Sequence, residues 1–133
     1  MPARSCCDYA VIRVVPRVER EEFINVGIIL FCRTRRFLAA RVEVDEARLA
    51  ALWPGLNLAE VREELAAIPL VCAGGEAAGP IGELSQPERW HWLVSPRSTV
   101  IQTSPAHAVI SDDPPATLAR LMQTMVLPQG APK

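Results

Sequence analysis

Arg20-Glu21-Glu22-Phe23-Ile24-Asn25-Val26-Gly27-Ile28-Ile29-Leu30-Phe31 is the stretch that decides the fold. A charged turn runs directly into the most apolar segment of the chain, which reads as a strand over 24–32. Strict alternation puts Asn25, Gly27, Ile29 and Phe31 on one face and Ile24, Val26, Ile28 and Leu30 on the other. Both faces are mostly apolar, which marks a central strand covered on both sides. Asn25 and Gly27 are residues that such a strand normally avoids. A backbone constraint or a partner group has to require them.

Upstream, a β-branched run over 9–15 reads as a first strand stopped by Pro16, with Arg13 its single charge. Tyr9, Val11, Arg13 and Val15 share one of its faces. Downstream, Arg33-Thr34-Arg35-Arg36 is a short polar hairpin loop leading to a third strand over 37–44. There Leu38, Ala40, Val42 and Val44 oppose Arg41 and Glu43. Helical spacing follows over 46–53, closed by Trp53-Pro54-Gly55, and again over 58–68, with Asn57 as N-cap, Glu60 three residues on and Pro69 as the stop. Residues 73–82 hold four glycines and read as a flexible surface loop, since neither a P-loop nor a G-x-G-x-x-G pattern is present. Ser85-Gln86-Pro87-Glu88 is a capping box opening a helix over 86–93. Two short strands, 99–103 and 108–110, lie close enough along the chain to pair antiparallel. Asp113-Pro114-Pro115 starts a last helix over 114–126, its stripe formed by Leu118, Leu121, Met122, Met125 and Val126. The class is α+β, a small antiparallel or mixed sheet with about four helices. One domain spans 1–133, with its core at about 8–127 and a frayed tail at 128–133.

Half of the 133 residues are hydrophobic and the net charge is −1, which excludes general disorder and general polyanion binding. Residues 3–41 carry eight arginines against four acids, an excess too small and too broken for a nucleic-acid footprint. The four cysteines, Cys6, Cys7, Cys32 and Cys72, have no C-x-x-C spacing and read as reduced thiols of a cytoplasmic protein. No apolar run has the length of a membrane span. His91 and His107 lack metal-ligand spacing, and no nucleophile elbow is present, so neither a metal site nor a cofactor site is expected. Trp90 and Trp92 have only Arg89 and Arg97 beside them and read as packing residues.

The candidate site is therefore the opening stretch itself. Arg13, Arg20, Glu22, Asn25 and Gly27 lie on the first strand, its following turn and the start of the second. If the two strands are antiparallel neighbours, these side chains converge. A binding pocket is one arrangement: guanidinium for an anion, Glu22 to orient it, Asn25 to hydrogen-bond, and Gly27 to admit a ligand. The structural arrangement, commoner in proteins at large, pairs Arg13 with Glu22, caps the turn with Asn25 and uses Gly27 as room for a helix or ring.

The run Tyr9-x-x-x-Arg13-x-x-Pro16, then Arg20-x-Glu22-Phe23-x-Asn25-Val26-Gly27-Ile28-Ile29-Leu30, resembles a bacterial domain-of-unknown-function family, number three-zero-three-seven of that series. Ser95-Pro96-Arg97 and the Asp113-Pro114 helix also resemble its C-terminal half, so the likeness covers about 8–127. The resemblance implies that Arg13, Arg20, Glu22, Asn25 and Gly27 matter, for folding or for binding. Some members are encoded beside a HipA-like kinase, which implies a non-enzymatic accessory or regulatory partner of such a kinase or of another protein. The alternative is a domain that binds or acts on a phosphorylated or nucleotide ligand through the Arg/Glu/Asn cluster. The sequence sets no oligomeric state.

Overall fold

β1 (Ser5–Val14) and β2 (Ile24–Cys32) form the centre of a five-stranded antiparallel sheet in the computed structural model, which describes residues 4–97 and 99–128. Most of the tail expected at 128–133 lies outside the described residues. β3 (Phe37–Val42) flanks β2, while β4 (Ile101–Thr103) and β5 (His107–Ser111) both lie along the other side of β1. The expected α+β class is what the chain adopts.

Two apolar layers sandwich the sheet. Ala10, Ile12 and Val14 of β1 and Ile24, Val26, Ile29 and Phe31 of β2 pack against α1 (Glu46–Leu52), α2 (Leu58–Ala73) and α3 (Gln86–Leu93). On the opposite face Cys7, Val11, Ile28, Leu30 and Cys32 meet Leu118 and Leu121 of α4 (Pro114–Leu121) and Met122 and Val126 of the π-helical turn that continues it. Trp90 of α3 stacks on Phe31, with ring centroids 5.6 Å apart. Each fully buried Ile or Leu contributes about 1.5–3 kcal/mol of burial free energy.

The helix starts follow the sequence signals. Asn57 accepts from the Glu60 N–H, Ser85 and Glu88 form a reciprocal capping box, and Asp113 accepts from the Ala116 N–H ahead of Pro114 and Pro115. Each such cap is worth about 1 kcal/mol.

Strict alternation in β2 does not hold. Ile12 pairs with Gly27 while Arg13 pairs with Asn25, so Val26 is one extra residue opposite β1. This β-bulge turns the side-chain parity over. Asn25 shares the α4 face with Ile28, Leu30 and Cys32, whereas Val26, Ile29 and Phe31 face α1–α3. Gly27 is the residue that permits it. A Cβ there would stand 2.5 Å from the Arg41 carbonyl oxygen and 2.9 Å from Ile12 Cδ1. The room it gives is for neighbouring strands, not for a helix or ring.

Four further expectations are corrected. Pro69 does not stop α2, which runs on to Ala73 because Val71 and Cys72 bury against the core and Gly74 caps its carbonyls. Residues 76–83 are 3-10 turns rather than a loop without structure, packed through Ala78 and Ile81. β4 and β5 do not pair with each other; they run in the same direction along β1 as one interrupted edge strand. Pro105 and Ala106 bulge out opposite Ala10, and Ser104 pins the strand by donating its N–H to Val11 O and accepting the Val11 N–H on Oγ. Finally, Cys7 and Cys32 are not both free thiols. The β1–β2 register sets them directly opposite, Cα atoms 4.4 Å apart, and they form a buried disulfide. Among the described residues no single helix is long and apolar enough to cross a membrane.

Candidate functional site

Arg13 sits one residue beyond the bulge, where β1 is flanked by Asn25 of β2 and Gln102 of β4. Cross-strand partners point to one side of a sheet, so the three polar side chains lie in a row on the α4 face. The aromatic ring of Phe23 packs against Arg13. The guanidinium carbon stands 4.1 Å from that ring's centroid, a cation–π contact worth about 0.5–2 kcal/mol. Arg13 makes no ion pair among the described residues, and its buried Nε has no hydrogen-bond partner. A cationic group in this state is unusual, because burying a donor unpaired costs about 1–3 kcal/mol.

The groove above Arg13 has a volume of ≈ 270 Å³ and is lined by Val15, Val18, Glu21, Phe23 and Gln102. Its walls come from the turn before β2. A 3-10 turn, Val18–Arg20, closes on Glu21 in the left-handed conformation, φ 56°, with the Glu21 N–H donated to Val18 O. That turn leaves Val18 39% and Phe23 43% exposed, two large apolar side chains flanking one cation.

The five residues singled out in the sequence do not converge in one cleft. Arg20 donates from Nε to Glu22 Oε1 at 2.5 Å, and both are exposed. The hydrogen bond raises the arginine's pKa and lowers the glutamate's, so the two charges answer each other in solvent. Glu22 is thus the partner of Arg20 and not of Arg13. Asn25 does not cap the turn. Its Nδ2 donates 3.0 Å to the Met125 carbonyl, tying β2 to the end of the π-helical turn a hundred residues later, while its buried Oδ1 has no partner. It opens on a different cavity, of ≈ 440 Å³, walled by Glu43, Asp45, Glu46 and Arg48. Gly27 serves the bulge. Arg13 alone faces the groove.

Phe23, Val18, Glu21 and Gln102 are site residues that sequence reasoning missed. Phe23 stood inside the signature stretch, ten positions from Arg13, and only the folded turn brings it over the guanidinium. Gln102 needed the β1–β4 register. Elsewhere the tryptophans divide: Trp90 is core, and Trp92 is 41% exposed beneath the Arg97 guanidinium at 4.6 Å. Arg97 also donates to the Trp92 and Leu93 carbonyls, closing the end of α3. Among the described residues no group of three or more His, Cys, Asp or Glu is placed to hold a metal ion.

Residues 9–126 match the model of a family described as Protein of unknown function (DUF3037). The chain belongs to that family. The match begins within β1 and ends at the π-helical turn, so both layers of the sandwich and the Arg13 groove are parts of the family domain. No curated protein and no solved structure matches the chain.

Proposed function

We propose that the protein is a non-enzymatic accessory or regulatory protein that docks a protein partner on the Arg13–Phe23 groove, with a HipA-like kinase as the first partner to test. One observation carries this reading: Arg13 is held on an exposed aromatic ring and left without a carboxylate. A partner side chain that supplies an acidic group beside an apolar one would complete the cation and cover Phe23 and Val18 together. Arg and aromatic residues dominate protein interfaces because they combine apolar area with directional charge. The groove is smaller than ordinary small-molecule sites, which run to about 300–1,000 Å³. It also offers a single uncompensated cation, because Arg20 is answered by Glu22 and the rim carries Glu21. A phosphate or nucleotide normally takes several convergent donors. These features favour a carboxylate on a protein over a phosphorylated ligand.

The test is co-expression with the HipA-like kinase encoded beside a family member, followed by size-exclusion chromatography. Co-elution that is lost in Arg13→Gln and in Phe23→Ala, with both variants folded, is the expected result. Separate elution at micromolar concentration would remove the kinase as partner. Thermal stabilisation by nucleotides or inorganic phosphate that disappears in Arg20→Ala would overturn the reading in favour of an anionic ligand.

A further inference from the structure

We infer that the chain pairs with a second copy of itself along the outer edge of β5, joining two sheets into one. The register decides which backbone groups are available. Val15 donates its N–H to Val100 O, and Val11 exchanges bonds with Ser104, so the odd-numbered residues of β1 turn their polar groups toward β4 and β5. Cys7 faces Val109, Tyr9 faces His107 and Ser5 faces Ser111. Those pairs therefore use the N–H and C=O of His107, Val109 and Ser111. The N–H and C=O of Ala108 and Ile110 point the other way, off the sheet.

Sheet edges are normally blunted by charge, proline or a covering element. At the opposite edge β3 carries Arg41 and is followed at once by Glu43, both exposed. Next to β4, Thr99 Oγ1 donates to the Ile101 carbonyl, and Pro105 sits in the bulge. Among the described residues β5 has none of these devices. Ala108-Val109-Ile110 holds no charge and no proline, and Ile110 is 60% exposed, more than any other large apolar side chain of the described residues.

A second copy fits this edge better than a foreign strand because the edge complements itself. Antiparallel pairing about a twofold axis at Val109 sets Ala108 opposite Ile110 twice. Each of those pairs is of the type that exchanges both backbone hydrogen bonds. Each large Ile110 then lies beside a small Ala108 of the copy, with no like charges opposed. The face that Ile110 occupies also carries Cys6, its cross-strand neighbour, which is exposed. The contact is short, so the dimer is expected to be weak and concentration-dependent.

Analytical ultracentrifugation over a concentration series, with amide hydrogen exchange on the same samples, tests the inference. The expected result is a monomer–dimer equilibrium in which the Ala108 and Ile110 amides slow with concentration. They should slow about tenfold where nine-tenths of the chain is dimeric, because exchange then proceeds through the free tenth. Ile110→Lys should abolish both effects. Ala108→Pro, which removes an outward donor and no bond to β1, should do the same if Ile110→Lys is poorly folded. Arg13→Gln should leave both unchanged, which separates this edge from the partner groove. A monomer at every concentration, with Ala108 and Ile110 exchanging at one fast rate, would overturn it. Protection that arises only when another protein is added would overturn it too, in favour of a foreign strand.

Discussion

The α4 face of the sheet is centred on β1 and β2 along its whole length, yet its two ends are opposite environments. At one end Cys7 and Cys32 are bonded across β1 and β2, and Val11, Ile28 and Leu30 lie beneath Leu118, Leu121 and Met122. At the other end Gln102, Arg13 and Asn25 stand in a row, with Phe23 over Arg13 and the Met125 carbonyl bonded to Asn25. A single inserted residue separates the two. Up to Ile28 the strand offers hydrophobic side chains to α4; past the bulge it offers Asn25, and Val26 goes to the other core. The lesson is that a change of strand parity can turn part of a packed face into a polar one without changing any secondary structure.

The strongest way to break this division is to remove the glycine that allows it. Gly27→Val would drive a side chain into the Arg41 carbonyl and Ile12, and should cost about 3 kcal/mol or more in urea unfolding. A wild-type midpoint would show that the bulge can be repacked. At the dry end, the Cys7→Ala/Cys32→Ala double variant should lose about 3 kcal/mol, from a cross-link spanning 25 residues. Reductant should shift the wild type toward that value and leave the variant alone. Asn25→Ala tests the boundary. It removes the bond to Met125 and should cost about 1 kcal/mol, with amide exchange accelerated over Met122–Val126 and not in β2.

The smallest effect belongs to the exposed pair beside the open end. Arg20 holds the Glu22 carboxyl below its usual range, so the folded state binds this proton less readily than the unfolded chain. Its contribution is present above the unfolded carboxylate's pKa and is lost as pH falls through the lowered folded value. Because the pair is exposed, Glu22→Gln should barely alter the acid limb of the stability curve at physiological salt. A clear flattening of that limb would show that the pair is coupled to the groove after all.

What the sequence could supply was whatever depends on local pattern. Asn57, Ser85 and Asp113 marked helix starts because a cap is chemistry between near neighbours. The apolar run after Phe23 marked a central strand because coverage on both faces leaves no polar alternation. What escaped depends on register. Val26 reads as an ordinary alternating residue until Ile12 and Arg13 are seen to skip it. The Cys7–Cys32 bond, the run of β4 into β5 and the placing of Gln102 all follow from which residue of β1 meets which partner. Pro69 misled for a different reason: burial of Val71 and Cys72 outweighs a local preference to stop. For the candidate site, the importance of the signature stretch was legible, but its division of labour was not. Arg20 and Glu22 satisfy each other, Gly27 and Asn25 serve the fold, and Arg13 alone faces the groove.

The pairing of Ser5 with Ser111 also sets a schedule for the newborn chain. β1 leaves the ribosome ahead of its partners and can zip to β2 within a hairpin, but its other side has to wait until β5 has been made. At about 5–20 residues per second that delay is on the order of 5–20 s. Throughout it, one flank of the most central strand is open to any passing segment, and the early β1–β2 hairpin must stay in register without help from the strand that finally closes it.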